Sequence, residues 1–408
     1  MKVRNIILSV TIVSLGLWGC AGDAPDRDAA PSTDQQQWSR PFEVAADVYP
    51  FASQVYWWNG LAYHYIDQLP PDGREPLGTV LAVHGNATWS FIYRKIVAPL
   101  ADAGFRVIAT DQFGYGMSDK PSASEFSYLP SDHAVVLTDF IRALDLSDIY
   151  LVVQDWGGPI GFAAGIADPA RVAGLVVMNT WAWRLPEIAD GSTDFMHAVH
   201  DRGVHAATQP TIYTDGTLVR RGGIGVASRN APQGTPRYYA IRNAMWGPYL
   251  ALAEPFPLLY ETALDPVHIS AMATLQDGAF LAAIEANFAV LNDKPVFFAF
   301  GDDTAFGPYK VDLGFLGGPR QLCRDGFTPE ATGDQLGVRT NCLDANGQPY
   351  WYPLERLVSA WSADSVVGVW TDASVGHWVQ DEAPQVVIDA VLQVHALATD
   401  RGANKPRR

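Results

Sequence analysis

The stretch IYLVVQDWGGPIG, residues 149–161, carries an apolar run into a turn and then into small residues that open a helix. That outline is a nucleophile elbow, a turn so tight that its neighbours must be small and its tip residue stands at the end of a strand. The tip residue is Asp155. Aspartate, with an unperturbed pKa near ~3.9, is ionised at neutral pH and can displace a leaving group from saturated carbon without a base. The product is an alkyl ester of the aspartate, which then needs an activated water and donors for an oxyanion. Taken alone, an aspartate at a strand end is also a common helix cap.

Three further groups fall where such chemistry needs them. VHGNATWSFIYR places His84, Gly85 and Asn86 directly after a strand. One oxyanion amide is drawn from that place and the second from the residue after the nucleophile, here Asn86 and Trp156. SVGHWVQDE puts His377 late in the chain, and FGDDTAFGP puts an acid, Asp303 or Asp302, in the loop before it. The order nucleophile, acid, histidine is the order of hydrolases that use this elbow. Capping and turn roles explain each residue singly; they do not explain four in register. One position departs from the elbow pattern, because Val153 stands where a glycine is usual.

The elements that must position these groups alternate. FASQVYWW and LAYHYIDQL flank Asn59-Gly60, a hairpin signal. GTVLAVHG, RVIATD, IYLVVQD and RVAGLVVMN read as short buried strands, separated by helical patterns. Such alternation predicts an α/β fold, a mostly parallel sheet with helices on both faces. Catalytic groups then gather at the carboxyl ends of strands, where His84, Asp111, Asp155 and Asn179 fall. The core is expected over residues 46–179 and 291–397, with a helical cap over 180–290, an insertion over 310–352 and a tail over 398–408.

The 408 residues, 48% of them hydrophobic, can bury a sizeable core, and the net charge of −16 argues against nucleic acid or an anionic membrane as partner. MKVR and the apolar run after it read as a signal peptide over residues 1–19. LWGC resembles a bacterial lipobox, apart from the bulky Trp18, and would make Cys20 a lipidated residue; an ordinary signal is the alternative. An exported protein held at a periplasmic or cell surface, on the outer membrane in a diderm, follows from that reading. Residues 20–45 then form a flexible tether. The two remaining cysteines, Cys323 and Cys342, are an even pair for an oxidising compartment. A disulfide between them would be worth about 3 kcal/mol; two separate thiols are the alternative.

On HGNATWSFIYRK, DQFGYGMSDKP, LVVQDWGGPIG and VGHWVQDEAP the sequence resembles the haloalkane dehalogenases of the α/β-hydrolase superfamily. The likeness covers roughly residues 50–300 and 353–397. It implies an α/β-hydrolase fold with an inserted cap, and carbon–halogen hydrolysis on a small apolar substrate with water and neither cofactor nor metal. It implies Asp155 as nucleophile, His377 as base and Asp303 as the acid orienting it, with Asp302 as second choice. Trp156 and Asn86 would bind the departing halide, Trp181, Trp183 and Trp246 being alternatives to Asn86. Some members carry a glutamate where this sequence has Asn179, and Ala87 replaces a usual proline. Epoxide hydrolases share Asp-Trp-Gly but use cap tyrosines, for which Tyr213, Tyr238, Tyr239 and Tyr249 are available. Enzymes that open β-lactones resemble the same pattern. A non-catalytic surface lipoprotein on this scaffold is the alternative from another class.

Overall fold

The computed structural model describes residues 38–85, 88–121, 124–183, 225–250, 278–301, 328–334, 337–343, 352–372 and 374–403. Cys20, Asn86, Ala87, Tyr213, Asp302, Asp303 and Cys323 lie outside the described residues, as do the side chains of Trp246, Tyr249 and Cys342.

The described residues form ten strands: β1 (Ser53–Trp58), β2 (Leu61–Gln68), β3 (Thr79–Val83), β4 (Arg106–Thr110), β5 (Ile149–Gln154), β6 (Val172–Met178), β7 (Val296–Gly301), β8 (Thr328–Asp334), β9 (Gly337–Leu343) and β10 (Val366–Asp372). Eight of them make one sheet in the order β1-β2-β4-β3-β5-β6-β7-β10. Only β1–β2 and β2–β4 pair antiparallel; the rest are parallel. The β1–β2 hairpin turns at Asn59 (φ 49°) and Gly60 (φ 83°), the double left-handed turn that Asn-Gly tolerates best. Every residue of β3, β5 and β7 is buried, as strands covered on both faces must be.

The helices are α1 (Arg94–Asp102), α2 (Pro130–Ala143), α3 (Gly157–Ala167), α4 (Pro236–Leu250), α5 (Gly278–Asn287), α6 (Tyr352–Ala360), α7 (Val379–Glu382) and α8 (Pro384–Ala403). Neighbouring residues of one strand show that two faces are covered. Tyr150 reaches α8, its hydroxyl 2.7 Å from His395 Nδ1. Leu151 points the other way, where an added Cβ on Gly165 of α3 would lie 3.2 Å from it. No helix among the described residues is long and apolar enough to cross a membrane.

Two features differ from the sequence reading. The insertion contains an antiparallel hairpin, β8 with β9, whose polar sequences TPEATGD and GVRTNCL carry no strand periodicity. The tail expected from residue 398 is helical as far as Ala403. Arg401 holds it there, donating to the carbonyls of Asp293 and Asp364, each at 2.7 Å.

Candidate active site

Asp155 sits just past the end of β5 with φ 54°, a left-handed conformation costing a non-glycine residue about 1–2 kcal/mol. Three bonds fix it. Its N–H donates to Asn179 O (3.1 Å), and its carbonyl accepts from Gly158 N–H (2.9 Å) and the Thr180 hydroxyl (2.6 Å). Glycines follow because nothing else fits: an added Cβ would stand 2.0 Å from Val83 O at Gly157 and 1.9 Å from Thr180 Oγ1 at Gly158. The same accounting explains Val153. A Cβ on Gly161 would meet Val153 Cγ1 at 2.7 Å, so the small residue missing from the strand is supplied by the facing helix.

The loop after β3 passes directly beside this carboxylate. An added Cβ on Gly85 would lie 2.3 Å from Asp155 Cβ and 2.4 Å from its Oδ1. His84 is no base. Its Nδ1–H donates to Gly85 O (2.8 Å) and its Nε2 accepts from Gln112 N–H (3.0 Å), which fixes a neutral tautomer. Burial lowers its pKa in the same direction. His84 therefore braces the glycine loop.

His377 follows β10 and meets the elbow from the other side. Its Nε2 lies 3.5 Å from Asp155 Oδ2, and both side chains are buried. Gln154 Nε2 is nearer, 2.6 Å from the same His377 nitrogen. The orientation of the Gln154 amide and the tautomer of the His377 ring are therefore set together.

Asn179, where an acid was a family alternative, clamps strand ends instead. Its side-chain Nδ2 donates to Gly301 O and its Oδ1 accepts Gly301 N–H, each at 2.9 Å. With its carbonyl on Asp155 N–H, it ties the ends of β5, β6 and β7 together. The turn before His377 packs on the same point, a Cβ on Gly301 coming 2.1 Å from Gly376 O. The expected acids Asp302 and Asp303 begin one residue later, outside the described residues.

Trp156 is buried at the helix entrance with Trp181 edge-on, ring centres 4.9 Å apart. Trp183 is buried too and carries the Arg356 guanidinium 4.1 Å above its ring. On α4, Tyr238 is buried and Tyr239 exposed. Asp111 belongs to a structural network. Its carboxylate takes His64 Nδ1 (2.7 Å) and the N–H groups of Ser90 and Met117 (2.8 Å each). Burial works to raise its pKa, but the attraction of His64 and these bonds outweigh it and the pKa is lowered. No group of three metal-ligating side chains occurs among the described residues.

Sequence reasoning missed Gln154 and the roles of Asp381 and Glu382. For Gln154 a signal existed, a polar residue closing a wholly buried apolar strand.

Residues 78–202 match the family model described as the alpha/beta hydrolase fold. The chain has the α/β-hydrolase fold. Part of its sequence is similar to haloalkane dehalogenases. It is 39% identical over 148 residues to haloalkane dehalogenase 2 of Mycobacterium bovis, covering 36% of this chain and 49% of that protein. It is 44% identical over 119 residues to a haloalkane dehalogenase of Mycolicibacterium paratuberculosis, covering 29% and 38%. The chain thus spans about half the length, or less, of these curated relatives. The haloalkane dehalogenase DpaA of Paraglaciecola agarilytica shares the fold at TM-score 0.55 and 21% identity, over 86% of this chain and 97% of that one. The epoxide hydrolase CorEH does so at TM-score 0.50 and 18% identity, over 85% and 99%.

Proposed function

We propose that the protein is an enzyme that hydrolyses carbon–halogen bonds of small haloalkanes through an ester on Asp155. The observation that carries this reading is the buried Asp155 carboxylate at a left-handed strand-end turn, 3.5 Å from Nε2 of the buried His377. One Asp155 oxygen attacks the carbon bearing halogen, the carbon–halogen bond breaks, and halide leaves with the bonding pair. His377 then takes a proton from water as its oxygen attacks the ester carbonyl; the bond from carbonyl carbon to the alkyl oxygen breaks, that oxygen takes the proton from the imidazolium and leaves as alcohol, and the carboxyl group gives its proton to solvent as the carboxylate re-forms. The Trp156 and Asn86 amides receive the oxyanion, a contribution of about 2.7–4 kcal/mol per donor in comparable sites. The Trp156 indole and the Asn86 side chain receive the halide. Asp303 accepts a hydrogen bond from the Nδ1–H of His377 and stabilises its charged form. The sequence likeness to haloalkane dehalogenases supports the substrate class.

The same reading takes the chain as an exported lipoprotein anchored at Cys20, periplasmic or on the cell surface, with a disulfide between Cys323 and Cys342. The MKVR leader, the LWGC motif and the even cysteine pair support it.

The test is halide release from short bromo- and chloroalkanes, with Asp155→Ala as control. Bromide release that disappears in the control is the expected result. A folded protein that releases none, yet opens epoxides or β-lactones, would replace the leaving group and keep the nucleophile. Silence on all three leaves the non-catalytic reading.

A further inference from the structure

Two acids, the buried Asp381 and the half-buried Glu382, follow His377 on the short helix α7, and the reaction outlined above uses neither. Asp381 faces α1 and the cap segment. Arg94 Nη2 lies 2.7 Å and Lys95 Nζ 3.3 Å from its Oδ1, while Asn230 Nδ2 donates to its Oδ2 at 2.8 Å. Glu382 faces the base loop and the same cap segment. Its Oε2 accepts Gly376 N–H at 2.9 Å, one residue before His377, and its Oε1 lies 3.2 Å from Arg229 Nη1. Arg229 and Asn230 both belong to the helical turn at residues 225–230. The base loop, the core helix α1 and the cap segment therefore meet on two adjacent carboxylates.

From this juxtaposition we infer that Glu382 is the positioning residue of His377, and that Arg229 makes its hold depend on the seating of the cap. The inference rests on the hydrolase reading above, because it assigns His377 the base role. A carboxylate this deep is costly to keep charged, and burial raises the Glu382 pKa; Arg229, the Gly376 amide and His377 favour the charged form. Withdrawing Arg229 removes the cation that holds the charge, so the amide bond to Gly376 weakens with it. Among the described residues the other charged neighbours are Asp381 and Lys95 near Glu382 and Asp155 beside His377. Asp381 has its own cations, Arg94 and Lys95, and is anchored by them to α1.

The test uses the full chain with Glu382→Ala, Glu382→Gln and Arg229→Met, and 1-bromobutane as probe. Ester formation needs no base, so Glu382→Ala should keep a one-equivalent bromide burst. Later turnover should fall by about 100-fold, the penalty of a misaligned catalytic group. The ester should then accumulate, visible as a mass increase of the intact protein. Glu382→Gln should recover most of the turnover, because its amide oxygen still accepts Gly376 N–H. With the negative charge gone, protonated His377 is less favoured, its pKa falls, and the rise of rate with pH begins at lower pH. Arg229→Met should slow the ester step without slowing the burst. A merely structural role would lower burst and turnover together in all three variants and leave the pH midpoint in place; that result overturns the inference. If the parent protein releases no bromide, the activity reading has failed separately. The His377 ring is then titrated by NMR without substrate, where a lower pKa in Glu382→Gln supports the contact and an unmoved one overturns it.

Discussion

The side-chain Nε2 of Gln154 lies 2.6 Å from Nε2 of His377, although the two residues are 223 positions apart in the chain. Gln154 immediately precedes Asp155, so the elbow presents a carboxylate and a donor to one imidazole nitrogen. A donor on the lone pair stabilises the neutral ring and opposes its protonation.

Removing that donor has a signed consequence. In Gln154→Met the neutral ring loses its stabilising bond, the His377 pKa rises, and more of the base is protonated at a given pH. The rise of the ester-hydrolysis rate with pH should move to higher pH, opposite to the shift expected for Glu382→Gln. A pH–rate profile of bromide release checks it. A midpoint moved to lower pH would mean the amide presents its oxygen instead, and an unmoved one that the amide does not act on the ring.

Asn179→Ala should be among the more destabilising single changes at this edge. It leaves the buried N–H and C=O of Gly301 without their side-chain partners, which are held at 2.9 Å each. Two such losses amount to about 2–4 kcal/mol. A lower denaturant midpoint at unchanged slope is the expected reading. Activity should fall as well, because the strand ends under Asp155 and Gly376 lose their tie.

Val153 and Gly161 should behave as one unit. Gly161→Ala drives a methyl into Val153 Cγ1, 2.7 Å away. Overpacking costs about 1–3 kcal/mol, against roughly 1 kcal/mol gained from helix propensity. With Val153→Ala in the same chain the clash is gone, and the double mutant should be more stable than the sum of the singles by at least about 0.5 kcal/mol. Additive effects would show that the helix can shift instead.

His133 predicts how the fold fails in acid. Its ring is buried on α2, 4.9 Å from the Phe126 ring centre, and burial brings its pKa down to about 3. The unfolded chain takes up a proton near pH ~6.5 that the folded chain refuses. The stabilisation is therefore complete above that pH and lost as pH falls from there towards about 3, at roughly 1.4 kcal/mol per unit. His84, lowered for the same reason, adds a loss of the same sign. His133→Phe should flatten the slope by about one proton between pH ~5 and ~7 in urea titrations. An unchanged slope would mean His133 is hydrated in the folded protein.

The sequence by itself determined the elements and most of what stands at their ends. Alternating short apolar runs and helical patterns carry the parallel sheet, and the Asn59-Gly60 turn carries the hairpin at its edge. These are local signals, because side-chain periodicity and turn conformation are set within a few residues. Asp155, His377 and Gly85 could be named for the same reason, since each lies in a short motif with a fixed relation to a strand. What the tertiary structure decided is who meets whom. Gln154 faces His377, Gly161 makes room for Val153, Asn179 clamps Gly301, and Glu382 holds Gly376. Each joins segments whose proximity depends on strand order and on the facing of a helix, which no periodicity encodes. The hairpin of β8 and β9 escaped for a related reason, its sequence being largely polar while its strands are defined by pairing with each other. The chemistry of a single turn was thus local, whereas the alignment of the base against it came from contacts across the whole chain.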